Sequence, residues 1–145
     1  MIQRIQTLFL VLAACSFGTL FMLPFATSDA ATANFLADRQ YDITDHPALI
    51  GMTILGLALA LIAIFVFRQR PLQLKLGYGI IITAVLLPLA AFLLFTNESA
   101  AMDTSVVIDD QAGVFLPVAA VLFGALANYF IRKDDRLVKS MDRLR

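Results

Sequence analysis

Four stretches of the chain contain no Asp, Glu, Lys or Arg, and each is long enough to cross a lipid bilayer. They cover residues 5–26, 47–67, 76–96 and 111–131. A helix needs about 20 apolar residues to span a hydrocarbon core of about 30 Å, where the backbone must satisfy its own hydrogen bonds. A water-soluble amphipathic helix would instead show a polar stripe every three or four residues. The four windows therefore predict four transmembrane helices.

The composition agrees with a membrane protein. Hydrophobic residues make up 60% of the 145 residues and charged residues only 15%, whereas about 25% are charged in a typical soluble domain. A transmembrane β-barrel would need alternating apolar and polar positions, which the windows lack. The expected fold is all-α: a single integral-membrane domain over residues 1–145, built as a four-helix bundle with a short cytoplasmic amphipathic C-terminal helix.

The charges outside the windows are distributed asymmetrically, which predicts an orientation. Ten of the eleven basic residues lie before the first window, between the second and third, or after the fourth, and only Arg39 lies elsewhere. Cytoplasmic loops carry the excess of Lys and Arg. We therefore expect both termini and a tail at 132–145 in the cytoplasm, and the longer loops 27–46 and 97–110 outside.

Some local signals suggest where helices begin or bend. Asp45 is a suitable cap for the second helix, and Pro47 suits its first turn, where a missing N–H costs little. Pro88 lies inside the third window and predicts a bend there. In the outer loops, Val106-Val107-Ile108 predicts a short strand or a patch resting on the membrane, and Tyr41-Asp42-Ile43 is a candidate partner strand.

The first window admits a second interpretation. Leu12-Ala13-Ala14-Cys15 is similar to a bacterial lipobox, in which the chain is cleaved and the cysteine lipidated. The apolar run continues well beyond Cys15, however, and a mature lipoprotein normally becomes polar soon after its cysteine. A small buried thiol within the first span is the favoured alternative.

The residue inventory argues against most membrane enzymes. The windows hold no ionisable carboxylate or basic group, and the chain has one cysteine and one histidine, His46. Proton-coupled transport, thiol relays, haem ligation and intramembrane proteolysis each need groups that these windows lack. We expect no catalytic residue and no cofactor. Oxygen and imidazole ligands lie in the outer loops, but without a calcium-loop spacing they predict no metal site: Asp38, Asp42, Asp45, His46, Asp109 and Asp110.

Small residues at intervals of three or four positions predict the faces on which the helices pack. Such spacing lets helix backbones approach, and hydroxyl or amide groups can bond across the contact. Asn128 is expected to cap a neighbouring helix rather than to line a pore. The predicted packing residues are Gly56, Ala60 and Ala63 in the second helix, Gly79 and Thr83 in the third, and Ala120, Gly124 and Asn128 in the fourth.

The tail carries one apolar helical face among charged residues. Leu137, Val138, Met141 and Leu144 form this predicted docking face. A basic interface surrounds it, made of Arg132, Lys133, Arg136, Lys139 and Arg143. Such a helix either lies on the anionic lipid headgroups of the inner leaflet or docks on a protein, and the sequence leaves both open.

The two ends of the chain resemble a known family. The opening Met1-Ile2-Gln3-Arg4-Ile5-Gln6-Thr7 and the polar closing segment 131–145 are similar to the domain-of-unknown-function family 4293, short four-helix inner-membrane proteins of Bacteroidota. The resemblance implies a bacterial inner-membrane location and the same topology. It implies no catalytic or binding residue, because the family has no established activity.

Two functional hypotheses remain. The first is a non-catalytic subunit, or an assembly or scaffold partner, of a larger membrane complex. The second is a small oligomeric transporter or channel whose pore forms at a subunit interface, lined by Thr53, Thr83 or Asn128. The expected partners are the lipid bilayer, anionic headgroups, and a membrane protein or further copies of the chain. A formal net charge of zero gives no reason to expect nucleic acid.

Overall fold

Four helices carry most of the chain in the computed structural model, which describes residues 3–29, 36–99 and 107–142. They are α1 (Gln3–Thr19), α2 (Pro47–Phe65), α3 (Arg70–Ser99) and α4 (Phe115–Asp142), and the 3-10 turn Ala112–Val114 precedes α4. Each helix packs on the next, and α4 closes the bundle against α1. The predicted all-α four-helix architecture is confirmed.

The bundle has two different ends. At the first, which we call the termini end, α1 begins, α4 ends and a short turn joins α2 to α3. At the second, which we call the sheet end, the chain forms three short strands: β1 (Ala26–Ser28), β2 (Gln40–Tyr41) and β3 (Ile108–Asp110). The polar segments of the chain are thus divided between two opposite surfaces.

The helices differ in length from the charge-free windows. Three segments are long and apolar enough to cross a membrane, Pro47–Phe65, Arg70–Ser99 and Ala112–Val138, while the apolar part of α1, Ile5–Thr19, is shorter. α3 extends beyond its window at both ends and continues through Pro88. α4 continues to Asp142 without a break, so the amphipathic tail is the end of α4 and not a separate helix.

The first window was expected to be helical to residue 26, but α1 ends at Thr19. The amides of Met22 and Leu23 both donate to the Thr19 carbonyl, which closes a turn. Pro24 then has no N–H to continue a helix. The Phe25 amide donates to the Tyr41 carbonyl at 2.7 Å, and this long-range bond starts the extended segment.

The strands form one antiparallel sheet in the order β2-β1-β3. Ala26 of β1 lies opposite Tyr41 on one side and Asp110 on the other. The expected pairing of the Tyr41 strand with the strand near Ile108 is therefore wrong, because β1 lies between them. Residue 106 is outside the described residues. Gln111 adds a side-chain bond from Nε2 to Thr27 Oγ1 at 3.0 Å.

Tyr41 anchors the sheet to the helices. Its ring is buried beside Phe25 and Phe95, and its hydroxyl donates to the Ala91 carbonyl of α3 at 2.8 Å. Burial, with the negative charges of Asp45 and Glu98, raises the pKa of the Tyr41 hydroxyl above its ordinary value. The hydroxyl therefore stays protonated and keeps its role as donor.

The start of α2 corrects another expectation. His46 is the N-cap, and its Nδ1 accepts from the Ala48 amide at 3.2 Å. Asp45, the residue expected in this role, instead accepts from the Asp42 amide at 2.6 Å and closes the preceding loop. Pro47 does lie in the first turn of α2. The His46 imidazole can reach the Ala48 amide, which has no partner within the helix, because His46 directly precedes α2.

Gly56 of α2 lies against Phe17 of α1. Phe17 is fully buried, and a Cβ atom at Gly56 would overlap its ring. Gly51 lies on the same helix, but a Cβ atom there would meet open space. The absence of a side chain at Gly56 therefore gives the Phe17 ring its place between the two helices.

We expect Gly56→Ala to destabilise the bundle by about 1–3 kcal/mol, because the added methyl group must displace a buried ring in a packed core. Gly51→Ala is the matched control on the same helix, and we expect it to leave stability unchanged or slightly raised. The measurement is reversible unfolding in mixed micelles. Equal stability of the two variants would contradict the contact between Gly56 and Phe17.

Candidate functional site

The small residues predicted to pack between helices do lie on buried faces or against side chains of neighbouring helices. Ala60, Ala63 and Ala120 are fully buried, as is Gly56 against Phe17. Gly79 of α3 faces a methyl group of Leu59 in α2, at 3.1 Å from its Cβ position. Gly124 of α4 faces Ile80 and Ile81 of α3. These small residues lie where neighbouring helices meet.

The hydroxyl groups bond within their own helices and not across a contact. Thr83 Oγ1 donates to the Gly79 carbonyl at 2.9 Å, and Thr53 Oγ1 donates to the Leu49 carbonyl at 2.8 Å. Both side chains are buried inside the bundle. Their hydrogen-bonding capacity is used for bonds to the carbonyl four residues earlier, a common arrangement for Ser and Thr in helices.

Three buried amide side chains distinguish the termini end. Gln6 of α1 is 1% exposed, Gln73 of α3 is 0% exposed and Asn128 of α4 is 5% exposed. The sequence identified only Asn128 as a packing residue, and Gln6 only as part of the polar opening segment. Gln6 lies at the edge of the first window, and Gln73 precedes the third window because the sequence did not show that α3 begins at Arg70. An amide beside an apolar run is the signal that would have identified both.

Gln73 caps the end of α2. Its Nε2 donates to the Ala63 carbonyl at 3.0 Å, and Ala63 is one of the last four residues of α2, whose carbonyls lack a partner within the helix. Asn128 was expected to cap a neighbouring helix, and this expectation is wrong, because neither polar atom of its side chain has a hydrogen-bond partner among the described residues. The sharp turn that returns the chain as α3 brings Gln73 within reach.

Asn128 instead fills the contact between α3 and α4. Its side-chain amide lies directly over Gly77, so a Cβ atom there would overlap it. Neither Oδ1 nor Nδ2 of Asn128 has a hydrogen-bond partner among the described residues, and the same holds for Oε1 of Gln6 and of Gln73. Unpartnered buried polar atoms usually indicate bound water, a ligand or a functional constraint.

Two contacts fix the start of α3 against the last part of α4. An Arg70 Nη atom lies 2.9 Å from a carboxylate oxygen of Asp134. Two residues before Asp134, the Arg132 guanidinium lies over the ring of Tyr78, at 5.5 Å from its centroid. α1 joins the same region, because Phe9 stacks on Phe130 with 5.4 Å between ring centroids. Two helices, α1 and α3, thus contact this part of α4.

A recess of about 470 Å³ lies on α4 beside this contact. It is lined by Tyr129, Arg132, Lys133, Arg136 and Leu137. The three basic side chains are exposed and belong to the predicted basic interface. Arg70 pairs with Asp134 outside the recess, and none of the residues that line the recess is a carboxylate.

The predicted docking face follows the recess along α4. Leu137 is 45% exposed and Val138 is partly buried. Met141 and Lys139 lie within α4, but their side chains are outside the described residues, as are Leu144 and Arg143 entirely. The structure therefore places half of the predicted docking face on the exposed end of α4.

Acidic residues near the start of α2 form turns at the sheet end. Asp42 Oδ1 accepts from the Thr44 amide and hydroxyl, while Asp45 accepts from the Asp42 amide. Burial, together with Asp42, Asp38 and Glu98, raises the pKa of Asp45 to about 6, against the opposing effect of the bond from the Asp42 amide. Within the described ranges, no group of three Asp, Glu, His or Cys side chains could hold a metal ion.

The helices and the site together define a class of protein: a small membrane-type helical bundle with buried amides and a basic recess at the termini end. The chain belongs to the family described as Domain of unknown function (DUF4293), which it matches over residues 2–144. This confirms the family to which the two ends were compared. No curated protein and no solved structure matches the chain.

The contact between Gly77 and Asn128 is testable by a double-mutant cycle. We expect Gly77→Ala to destabilise the bundle by about 1–3 kcal/mol, because the methyl group overlaps the buried amide. Asn128→Ala should make the same glycine substitution nearly neutral, since the coupling between contacting residues is lost.

Gly79→Ala is the control on the same helix, where the Cβ meets only the end of the Leu59 side chain. Unfolding in mixed micelles measures the stability of this control and of the four proteins of the cycle. A cost of Gly77→Ala that is unchanged by Asn128→Ala would contradict the contact.

Proposed function

We propose that this protein is a non-catalytic subunit, or an assembly or scaffold partner, of a larger complex in the bacterial inner membrane. The observation that carries the proposal is the continuation of α4 beyond the bundle. Ile131 is fully buried, yet the helix continues to Asp142. The eight residues that follow Asp134, which pairs with Arg70 of α3, add about 12 Å of helix beyond this contact.

The continuation is suited to contact with another molecule. α3 begins at Arg70, which pairs with Asp134, so α4 passes the level at which its neighbour starts. Leu137 is then left 45% exposed on a segment dominated by charge. An ordered, charged helix that presents apolar side chains gains stability when a partner covers them. We propose that the face of Leu137, Val138, Met141 and Leu144 is that docking surface.

The orientation of the protein is part of the proposal. Arg68, Arg70 and Lys75 lie at the α2–α3 turn, at the same end as Arg132, Lys133 and Arg136. Asp38, Asp42, Asp45 and Glu98 lie at the sheet end. Because basic residues remain on the cytoplasmic side during insertion, we propose that the termini end faces the cytoplasm and the sheet end faces outward.

Reporter fusions test this orientation. A reporter enzyme that works only in the cytoplasm should be active when it is fused after Arg145. A reporter enzyme that works only outside the membrane should be active when it is inserted after Asp38. A fusion after Arg70 gives a third, independent reading and should agree with Arg145. An external reading at Arg145 would overturn the orientation and with it the cytoplasmic docking surface.

We favour the subunit over an oligomeric channel. A pore at a subunit interface needs polar side chains on the outer surface of the bundle. Thr53 and Thr83 are buried and bonded within their own helices, and Asn128 is buried against Gly77. The polar residues proposed for a pore thus point into the protein's own core, whereas the exposed end of α4 carries the apolar docking face.

Tagged protein solubilised from its native membranes in mild detergent tests the subunit proposal. We expect the wild type in a particle that contains another protein, and we expect Leu137→Asp with Leu144→Asp to release it by more than about tenfold, as truncated interface anchors do. Native-gel mobility and mass spectrometry of the particle provide the readout.

Arg68→Gln with Lys75→Gln is the control, since it lowers the cytoplasmic charge by the same two units away from the tail. This variant should keep the partner. Wild-type protein that runs alone, as a monomer or as copies of itself, would contradict the proposal, and so would equal loss in both variants.

A further inference from the structure

The recess on α4 continues a stripe that runs along the outer surface of the helix. Val118, Leu122, Leu126 and Tyr129 follow one another at intervals of three or four residues, the spacing of one helical face. All four are exposed, Leu122 at 59% and Tyr129 at 61%. The buried residues Ala120, Gly124, Ala127 and Ile131 occupy the opposite face. The stripe therefore faces the surroundings of the bundle.

The chemistry of this stripe changes abruptly at Tyr129. Lys133 and Arg136 continue the same spacing, and Arg132 lies beside them. An apolar stripe thus becomes a cationic one within a single turn, at a tyrosine, a residue enriched at the boundary between acyl chains and headgroups. A phospholipid matches this surface, because its acyl chain can lie along the apolar part of the stripe while its anionic headgroup meets the cationic part.

The cations are arranged to receive an anion. Arg132 is held in position over the Tyr78 ring, and Lys133 and Arg136 are exposed at the rim of the same recess of about 470 Å³. No carboxylate lines the recess. Guanidinium groups bind phosphate oxygens through directed, charge-assisted hydrogen bonds, and an ammonium adds a point charge.

We infer that the recess formed by Tyr129, Arg132, Lys133 and Arg136 binds the phosphate of an anionic phospholipid, with an acyl chain lying along Leu126 and Leu122. The site needs the protein to be in a membrane but not the protein partner proposed above. The site lies next to the docking face on α4. A bound lipid would therefore fix how deeply this part of α4 lies in the membrane.

Competitive lipid binding tests the inference. The purified full chain in mild detergent receives equal amounts of phosphatidylglycerol and phosphatidylcholine with identical acyl chains, and native mass spectrometry counts the lipids retained. We expect the wild type to prefer phosphatidylglycerol by about tenfold or more, and Lys133→Gln with Arg136→Gln to lower the preference below about twofold.

Arg68→Gln with Lys75→Gln removes the same charge from the α2–α3 turn and should keep the wild-type preference. An equal loss of the phosphatidylglycerol preference in the two variants would overturn the inference, because the whole basic surface, and not the recess, would then attract the anionic lipid. Displacement of the lipid by millimolar inorganic phosphate would also overturn it, because the recess would then bind a free anion without the acyl chain. Wild-type protein that retains the two lipids equally would also overturn the inference.

Discussion

The structure depends on close approach between helix backbones, because hydrocarbon supplies no hydrophobic force to hold apolar helices together. In a bilayer, association relies on dispersion contacts and on the few hydrogen bonds that can form. Gly56 meets this requirement by accepting the buried ring of Phe17, and Gly77 does so by accepting the amide of Asn128. One contact joins α1 to α2 and the other joins α3 to α4. The remaining neighbours have contacts of their own: Gly79 of α3 faces Leu59 of α2, and Phe9 of α1 stacks on Phe130 of α4.

The helices were predictable because their signal is contained within each segment. A charge-free run of about 20 residues favours a helix in hydrocarbon, because there the backbone must satisfy its own hydrogen bonds. The end of α1 was not predictable in this way. Residues beyond Thr19 are as apolar as those before it, but they leave the helix because Phe25 bonds to Tyr41 and Ala26 pairs with two strands. These partners lie far away in sequence, and hydropathy carries no information about them.

The sequence predicted the positive charge of the candidate site but not the arrangement of its side chains. The basic residues of the tail were visible as composition, and Arg132, Lys133 and Arg136 do surround one recess. The buried amides were mostly missed, because Gln73 depends on where α3 begins and Gln6 on which face of α1 is covered. Asn128 was recognised, but its role was misassigned. A cap requires a free carbonyl within reach, and the turn between α2 and α3 presents that carbonyl to Gln73.

α4 combines these requirements in one uninterrupted helix. Its small residues and Asn128 bind it to α1 and α3, its opposite face is apolar as far as Tyr129, and its last turns are charged. Arg132 and Arg136 follow Asn128 by about one and two turns of this helix. Arg70 and Tyr78 hold the intervening turn to α3 through Asp134 and Arg132. A molecule bound at the end of α4 would therefore lie within two turns of the α3–α4 contact, where a buried amide lies without a hydrogen-bond partner among the described residues. In a protein this small, the surface that binds and the contact that holds the bundle together are parts of the same helix.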